Sequence, residues 1–262
     1  MTGAGSERPP AHCAEVGDVA VLTLDRPHHG NALTAAMLAE LVRITAGLHS
    51  SDGARAVILT GAGNTFCTGA DLAELEQLLV TGATGELIEL TEALATFVRA
   101  LRSLPCPVIA AVNGIAAGAG FSLALACDVR LAADRSAFHF AYGALGSSTD
   151  GGMSWFLPRI VGAARAVTLL LEQPVLRPKT ALELDLVSGV VPSGALLETA
   201  VELGRRYARH TRHSIRAAKR LVDLSTCLSL ESHLHREHDE VVKGLIGADV
   251  RTALAAHRQS GR

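Results

Sequence analysis

Three stretches of the chain bring small residues, which expose their backbone, together with a side chain able to carry charge. The sharpest is Tyr142-Gly-Ala-Leu-Gly-Ser-Ser-Thr-Asp-Gly-Gly-Met-Ser-Trp-Phe-Leu-Pro-Arg159, where Asp150 stands between a polar run and two glycines at the mouth of a helical pattern. A carboxylate so placed can act as a general base whose pKa is set by burial and by the helix dipole. The ordinary alternative is an N-cap, Asp150 closing a helix that starts at Gly151.

The stretch Asn64-Thr-Phe-Cys-Thr-Gly-Ala-Asp-Leu72 reads as a loop entering a helix, its small residues letting backbone N–H groups approach a ligand. Asp71 can equally be a plain helix cap there. In Ala111-Val-Asn-Gly-Ile-Ala-Ala-Gly-Ala-Gly-Phe-Ser-Leu-Ala-Leu-Ala-Cys-Asp128 a strand turns at Asn113-Gly114 into a glycine-alanine run that opens a helix. Unpaired N–H groups at a helix start suit a developing oxyanion. Close packing of a helix against the core would select the same small residues. The glycine spacing is not that of a dinucleotide fingerprint.

Other chemistries find less support. Of the eleven histidines, His28 and His29 lie in a turn, His139 reads as a strand residue, and His210, His213, His233, His235 and His238 fall on charged helices with the character of solvated faces. His233 and His238 lack metal-ligand spacing, and no metal is expected. No serine sits in a G-x-S-x-G elbow. The five cysteines (Cys13, Cys67, Cys106, Cys127, Cys227) form no CxxC pair, so they read as reduced thiols of a cytoplasmic protein rather than a disulfide framework or zinc site. A net charge of −2 provides no field for nucleic acid or an anionic membrane surface. No apolar run is long enough to span a bilayer.

The elements that must position these groups alternate. Val19 to Leu24 reads as a strand, Thr34 to His49 as a helix with Thr34 as N-cap, and Ala56 to Thr60 as a second strand running into a loop over Gly61 to Gly69. Helices follow over Ala70 to Val80 and Gly85 to Ser103, then strands at Val108 to Val112, Val129 to Ala132 and Leu186 to Val191. Such repetition predicts an α/β core. Beyond Pro192 the pattern is helical: Ala195 to His210, Ser214 to Thr226, Leu230 to Ile246 and Asp249 to His257. The expected organisation is a disordered segment over residues 1–13, an α/β core over 14–194, and a helical region over 195–262.

The order and spacing of the three stretches, with Asp25-Arg-Pro27 and Asn31-Ala-Leu33 before them, resemble the crotonase (enoyl-CoA hydratase/isomerase) superfamily from about residue 16 onward, in particular its phenylacetate-pathway-like enoyl-CoA isomerases. The resemblance implies a spiral of repeated ββα units with a helical C-terminal oligomerisation region, assembled as a homotrimer or a dimer of trimers. It implies an acyl-CoA thioester as substrate and no cofactor beyond the coenzyme A the substrate carries. By the same resemblance Thr68 and Ala119 supply the two oxyanion amides. It also implies that CoA's adenine and pantetheine run along the backbone of Gly69, Ala70, Asp71 and Leu72, with Ala32, Cys67 and Gly118 lining the site and Arg26 near the phosphates. Hydratases of the superfamily carry glutamates at the positions of Ser122 and Tyr142, so hydration by a glutamate pair is not expected. Asp150 falls where isomerases of the superfamily place a catalytic aspartate, and Ser147-Ser-Thr149 departs from the mostly apolar residues that usually precede it. The expectation is double-bond isomerisation of an enoyl-CoA with Asp150 as base. The alternatives are an enoyl-CoA hydratase, an aroyl-CoA dehalogenase-like enzyme with Asp150 as nucleophile, and a non-catalytic CoA-thioester-binding protein.

Overall fold

The computed structural model describes residues 9–50, 53–247 and 250. The chain divides into two compact units, one ending at Tyr207 and the other beginning at Ala208.

In the first unit six strands form one sheet in the order β1 (Ala11–Val16), β2 (Val19–Leu24), β3 (Ala56–Gly61), β5 (Val108–Val112), β7 (Val129–Ala133) and β9 (Gly189–Val191). Three short strands, β4 (Thr65–Cys67), β6 (Ile115–Ala117) and β8 (Ala137–His139), form a second. Among these nine strands the β1–β2 pair is antiparallel and the other strand pairs are parallel. A parallel strand covered on both faces must be apolar on both. β3 and β5 accordingly are buried at every position.

Alternate residues of the large sheet serve two cores. Leu22, Leu24, Val57, Leu59 and Val108 share one with Leu38 and Leu41 of α1 (Ala35–Ser50) and with Leu94, Phe97 and Leu101 of α3 (Thr84–Ser103). Val19, Val21, Ile58, Ile109 and Leu131 face the other way and pack with Leu196, Ala200 and Val201 of α8 (Leu196–Tyr207). Each pair β3–β4, β5–β6 and β7–β8 sends its first strand to the large sheet and its second to the small one before helix follows. The following helices are α2 (Leu72–Thr81) with α3, then α4 (Ala119–Ala126), then α5 (Met153–Val161). This is the expected ββα repeat.

Several boundaries differ from expectation. Residues 11–13 are strand rather than disordered, because β1 pairs along its whole length with β2; residues 1–8 lie outside the described residues. The loop expected over Gly61 to Gly69 contains β4, which pairs with β6. The expected strand over Leu186 to Val191 is reduced to β9, whose three residues pair in register with Leu131, Ala132 and Ala133 of β7. The core does not end at residue 194: α8 covers the second face of the sheet, with Gly204 at the point of approach, where an added methyl would lie 3.1 Å from Ala56 Cβ. Thr34 is an N-cap, its Oγ1 accepting from Met37 N at 3.1 Å.

The second unit holds α9 (Arg212–Leu224) and α10 (Leu230–Ile246). Thr211 and Ser229 cap them, accepting from Ser214 N and Ser232 N. His213 does not lie on a solvated face: its Nε2 meets Glu240 O at 2.8 Å, and the buried Glu240 carboxylate is paired with Lys243 at 3.2 Å. The helix expected over Asp249 to His257 falls almost entirely outside the described residues. No helix among the described residues is long and apolar enough to cross a membrane.

Candidate active site

The site starts from two asparagines that tie loops together. Asn31, fully buried and in left-handed backbone geometry (φ 54°), donates through Nδ2 to Ala62 O (3.0 Å) and Thr65 O (2.7 Å) and accepts at Oδ1 from Arg26 N (2.9 Å). Asn113 Nδ2 donates to Gly61 O (2.8 Å) and Gly63 O (3.0 Å). Together they fix the β3–β4 connection between the Arg26–Ala32 turn and the β5–β6 connection. The two glycine-rich stretches then close on each other. An added methyl at Gly120 would run into the Cys67 carbonyl, and one at Gly69 (φ 94°) would lie 3.0 Å from Ala117 O and 3.4 Å from Ala119 N.

The loop Thr68–Asp71 lies along residues 30–33 as a parallel bridge: Thr68 N donates to Gly30 O (3.0 Å), Leu33 N to Gly69 O (2.8 Å), and Asp71 N to Leu33 O (3.0 Å). This pattern corrects the expected donor. Thr68 spends its amide on Gly30, whereas Ala70, opposite Leu33 in the bridge, must turn its own N–H the other way. Among the described residues neither Ala70 N nor Ala119 N donates to a protein acceptor. Ala119 is the first residue of α4, whose N-cap Gly118 (φ 49°) offers no side chain, so its amide belongs to the unpaired donors at the helix's positive end.

Asp71 is the cap of α2, with Oδ1 accepting from Ala73 N (3.1 Å) and Glu74 N (3.3 Å). Arg26 Nη1 donates to its Oδ2 (2.8 Å) and to Ala32 O (2.8 Å), so the guanidinium is turned inward as a brace rather than outward toward a phosphate. Burial opposes ionisation of Asp71, but the Arg26 guanidinium and the two helix amides outweigh it and hold the carboxyl below its usual range. Leu72 is exposed at the head of α2, while Ala32 and Cys67 are buried.

Asp150 is not a cap. Gly151 (φ 54°) and Gly152 (φ 87°) both take left-handed geometry, and α5 begins at Met153 with no side-chain cap. The turn rests against α4, where an added methyl on Gly151 would meet Ser122 Cβ at 2.8 Å. The carboxylate is left to face Tyr142, whose hydroxyl donates to Oδ1 at 3.0 Å. Tyr142 Oη in turn is 2.6 Å from Ser122 Oγ, and Ser122 Oγ reaches Asp150 O at 2.9 Å. Burial pushes the Asp150 carboxyl above its usual range, with the Tyr142 hydrogen bond pulling the other way. Burial and the charge of Asp150 push Tyr142 well above the usual phenol value. The Cys67 thiol, fully buried and also in the field of Asp150, is pushed up to about 12, so it does not serve as a thiolate.

The chain thus brings together Cys67, Gly69, Ala119, Ser122, Tyr142 and Asp150 from three successive ββα turns, and it assigns Arg26 and Asp71 to supporting the loop. The residues missed by sequence reasoning as site builders are Asn31 and Asn113. Both stand inside quoted motifs, and an asparagine beside a turn glycine is the signal that marks them.

Two short-stranded and long-stranded parallel sheets wound by ββα turns, with free amides at the start of α4, define the crotonase fold. The family model described as Enoyl-CoA hydratase/isomerase matches residues 15–258. The chain is 45% identical over 177 residues to a probable enoyl-CoA hydratase of Rhodobacter capsulatus, covering 66% of this chain and 65% of that protein. It is 35% identical to the 1,2-epoxyphenylacetyl-CoA isomerase of Escherichia coli K12 over 242 residues, 91% of each. The crystal structure of an enoyl-CoA hydratase from Polaromonas sp. JS666 superposes with a TM-score of 0.91 at 31% identity, covering 95% of this chain and 97% of that one. The chain belongs to the enoyl-CoA hydratase/isomerase family of the crotonase superfamily, and it is an acyl-CoA-processing enzyme of that family.

Proposed function

We propose that this protein isomerises the double bond of an enoyl-CoA, with Asp150 carrying the proton. One observation carries the reading: where Ser122, Tyr142 and Asp150 meet, a single carboxylate stands among hydroxyls. Hydration needs one group to activate water and another to protonate carbon, and two neutral hydroxyls with their protons in place supply neither. A proton shuttle needs one base.

The thioester carbonyl oxygen accepts from Ala70 N–H and Ala119 N–H, neither of which donates to a protein acceptor among the described residues. Each such donor is worth ~3–4 kcal/mol to the developing oxyanion. Asp150 removes a proton from the carbon beside the carbonyl of a 3-enoyl-CoA, the electrons spread into a dienolate, and Asp150 returns the proton to the far end of that system. No water is consumed and no cofactor takes part. Burial supports the role, because it lifts the carboxyl toward the working pH and so makes its conjugate base stronger. The isomerase named among the relatives handles a CoA thioester with no net gain or loss of atoms by its printed name, which agrees with this reading.

Turnover of 2-enoyl-CoA and 3-enoyl-CoA in deuterated water, followed by mass, tests it. Deuterium washed in without added water is expected, and Asp150→Asn abolishes it while retaining CoA binding. Added water mass, or unchanged turnover in Asp150→Asn, overturns it.

A further inference from the structure

Ser122 sits on α4, Tyr142 in the turn after β8, and Asp150 at the entry to α5, so three elements distant in sequence meet through two hydroxyls and one carboxylate. Ser122 is fully buried, and Tyr142 nearly so. Ser122 Oγ lies 2.6 Å from Tyr142 Oη, 2.9 Å from Asp150 O and 3.3 Å from Gly118 O; Tyr142 Oη lies 3.0 Å from Asp150 Oδ1.

Each hydroxyl has one proton to give. When Asp150 is ionised, the gap to Oδ1 is filled by the Tyr142 proton, since the carboxylate has none. The single Ser122 proton has Tyr142 Oη, Asp150 O and Gly118 O within reach; turned to Tyr142, the shortest of these contacts, it completes a relay from Ser122 to Tyr142 to Asp150. When a proton rests on Oδ1 the direction reverses: Asp150 donates to Tyr142, Tyr142 to Ser122, and Ser122 to the Asp150 main-chain carbonyl. A proton taken up on the other oxygen leaves the Tyr142 bond to Oδ1 as it was. Tyr142 is bonded to Oδ1, so Oδ2 is the carboxylate oxygen that the relay does not engage.

We propose that Ser122 and Tyr142 are positioning residues forming a reversible hydroxyl relay, which holds Oδ1 of Asp150 in both protonation states and presents Oδ2 to the substrate. The proposal rests on the reading of Asp150 as the base. It explains why the two side chains facing Asp150 are hydroxyls: a second carboxylate would repel the first and raise its pKa further, whereas a neutral donor steadies its ionised form. Burial favours the protonated carboxyl, and the Tyr142 bond opposes it, together with a hydrogen bond from the backbone of Asp150 itself.

The test is a direct titration of Asp150 by carbon-13 NMR of substrate-free protein labelled at aspartate carboxyls, with Asp150→Asn identifying the resonance, alongside the pH profile of kcat/KM for 3-enoyl-CoA. Tyr142→Phe is expected to move both the titration midpoint and the acid limb to higher pH. At pH below the limb kcat/KM falls about 10–100-fold, the range for one hydrogen bond to a charged group, while KM changes little. Ser122→Ala moves them the same way by less, and the double variant moves them no further than Tyr142→Phe, because Ser122 acts through Tyr142. An unmoved midpoint in Tyr142→Phe, or additive shifts in the double variant, overturns the relay. Should Tyr142→Phe not fold, an unmoved midpoint in Ser122→Ala does the same. If Asp150→Asn stays active, the base reading fails; if it is inactive but the midpoint does not move, the relay alone fails.

Discussion

Arg26 Nη1 lies 2.8 Å from Asp71 Oδ2, joining the turn after β2 to the head of α2 across 45 residues of sequence. One bond to that carboxylate fastens the turn, and two more from Ala73 and Glu74 fasten the helix, so a single side chain sets the strand-like run that turns Ala70 N–H away from residues 30–33. The pair is largely sheltered, with side chains 21% and 12% exposed.

Arg26→Ala leaves the Asp71 carboxylate without its cation and should cost about 1–3 kcal/mol at neutral pH. The sign with pH follows from the lowered Asp71 pKa. The ionised form is favoured by folding, so its stabilisation is full above the unfolded value near ~4 and is lost as pH falls through the folded value. Urea midpoints of the parent and the variant should therefore differ at pH 7 and converge as both are acidified. A constant difference would contradict this account.

Ala119→Pro removes one amide at the first position of α4, where proline suits the helix and no protein acceptor loses a partner. Turnover should fall about 10²–10³-fold, as for loss of one oxyanion donor. The thermal midpoint should hardly move, and circular dichroism with a melt separates the two effects.

Asp150→Asn should raise stability while removing turnover. A carboxyl whose folded pKa is raised binds more protons folded than unfolded between the two values, so the folded state loses stability as pH rises through that window. The neutral amide does not pay that cost. Thermal melts at pH 7 should favour the variant, and the gap should close on acidification below the unfolded value of about 3.9.

Thiol labelling should follow burial. Cys227 is exposed and should react first with iodoacetamide at pH 8; Cys13, whose pKa burial and then Glu15 push up, should follow more slowly. Cys67, Cys106 and Cys127 are buried and should react only on unfolding. Peptide mass mapping with and without urea reads this out, and early labelling of Cys67 would contradict the packing of β4.

Much of this was legible in the residues. The longer helices follow from their apolar spacing, and β3 and β5 from runs of Ala, Val, Ile and Leu without polar breaks. β4 and β6 escaped notice because three residues cannot display a period, and both are defined by pairing partners some 50 residues apart. β1 escaped because it is an edge strand exposed over most of its length. In the site, the helix start marked unpaired amides and the family resemblance named Ala119 among them, but neither could choose between Thr68 and Ala70. Which amide of an extended run points inward depends on the segment lying beside it, here residues 30–33, and a motif contains no record of that neighbour. Asp150 was separated from a capping role only by the left-handed geometry of Gly151 and Gly152.

The winding that sends β4, β6 and β8 to one small sheet has a consequence for how this enzyme can vary. Each turn delivers its own loop to a common rim, and on the proposed reading what the rim offers the thioester oxygen is main chain, which substitution of side chains leaves in place. Reactivity is written in a separate alphabet, at positions such as Ser122, Tyr142 and Asp150. A lineage with this architecture can therefore exchange its chemistry residue by residue while its grip on the acyl group is inherited intact.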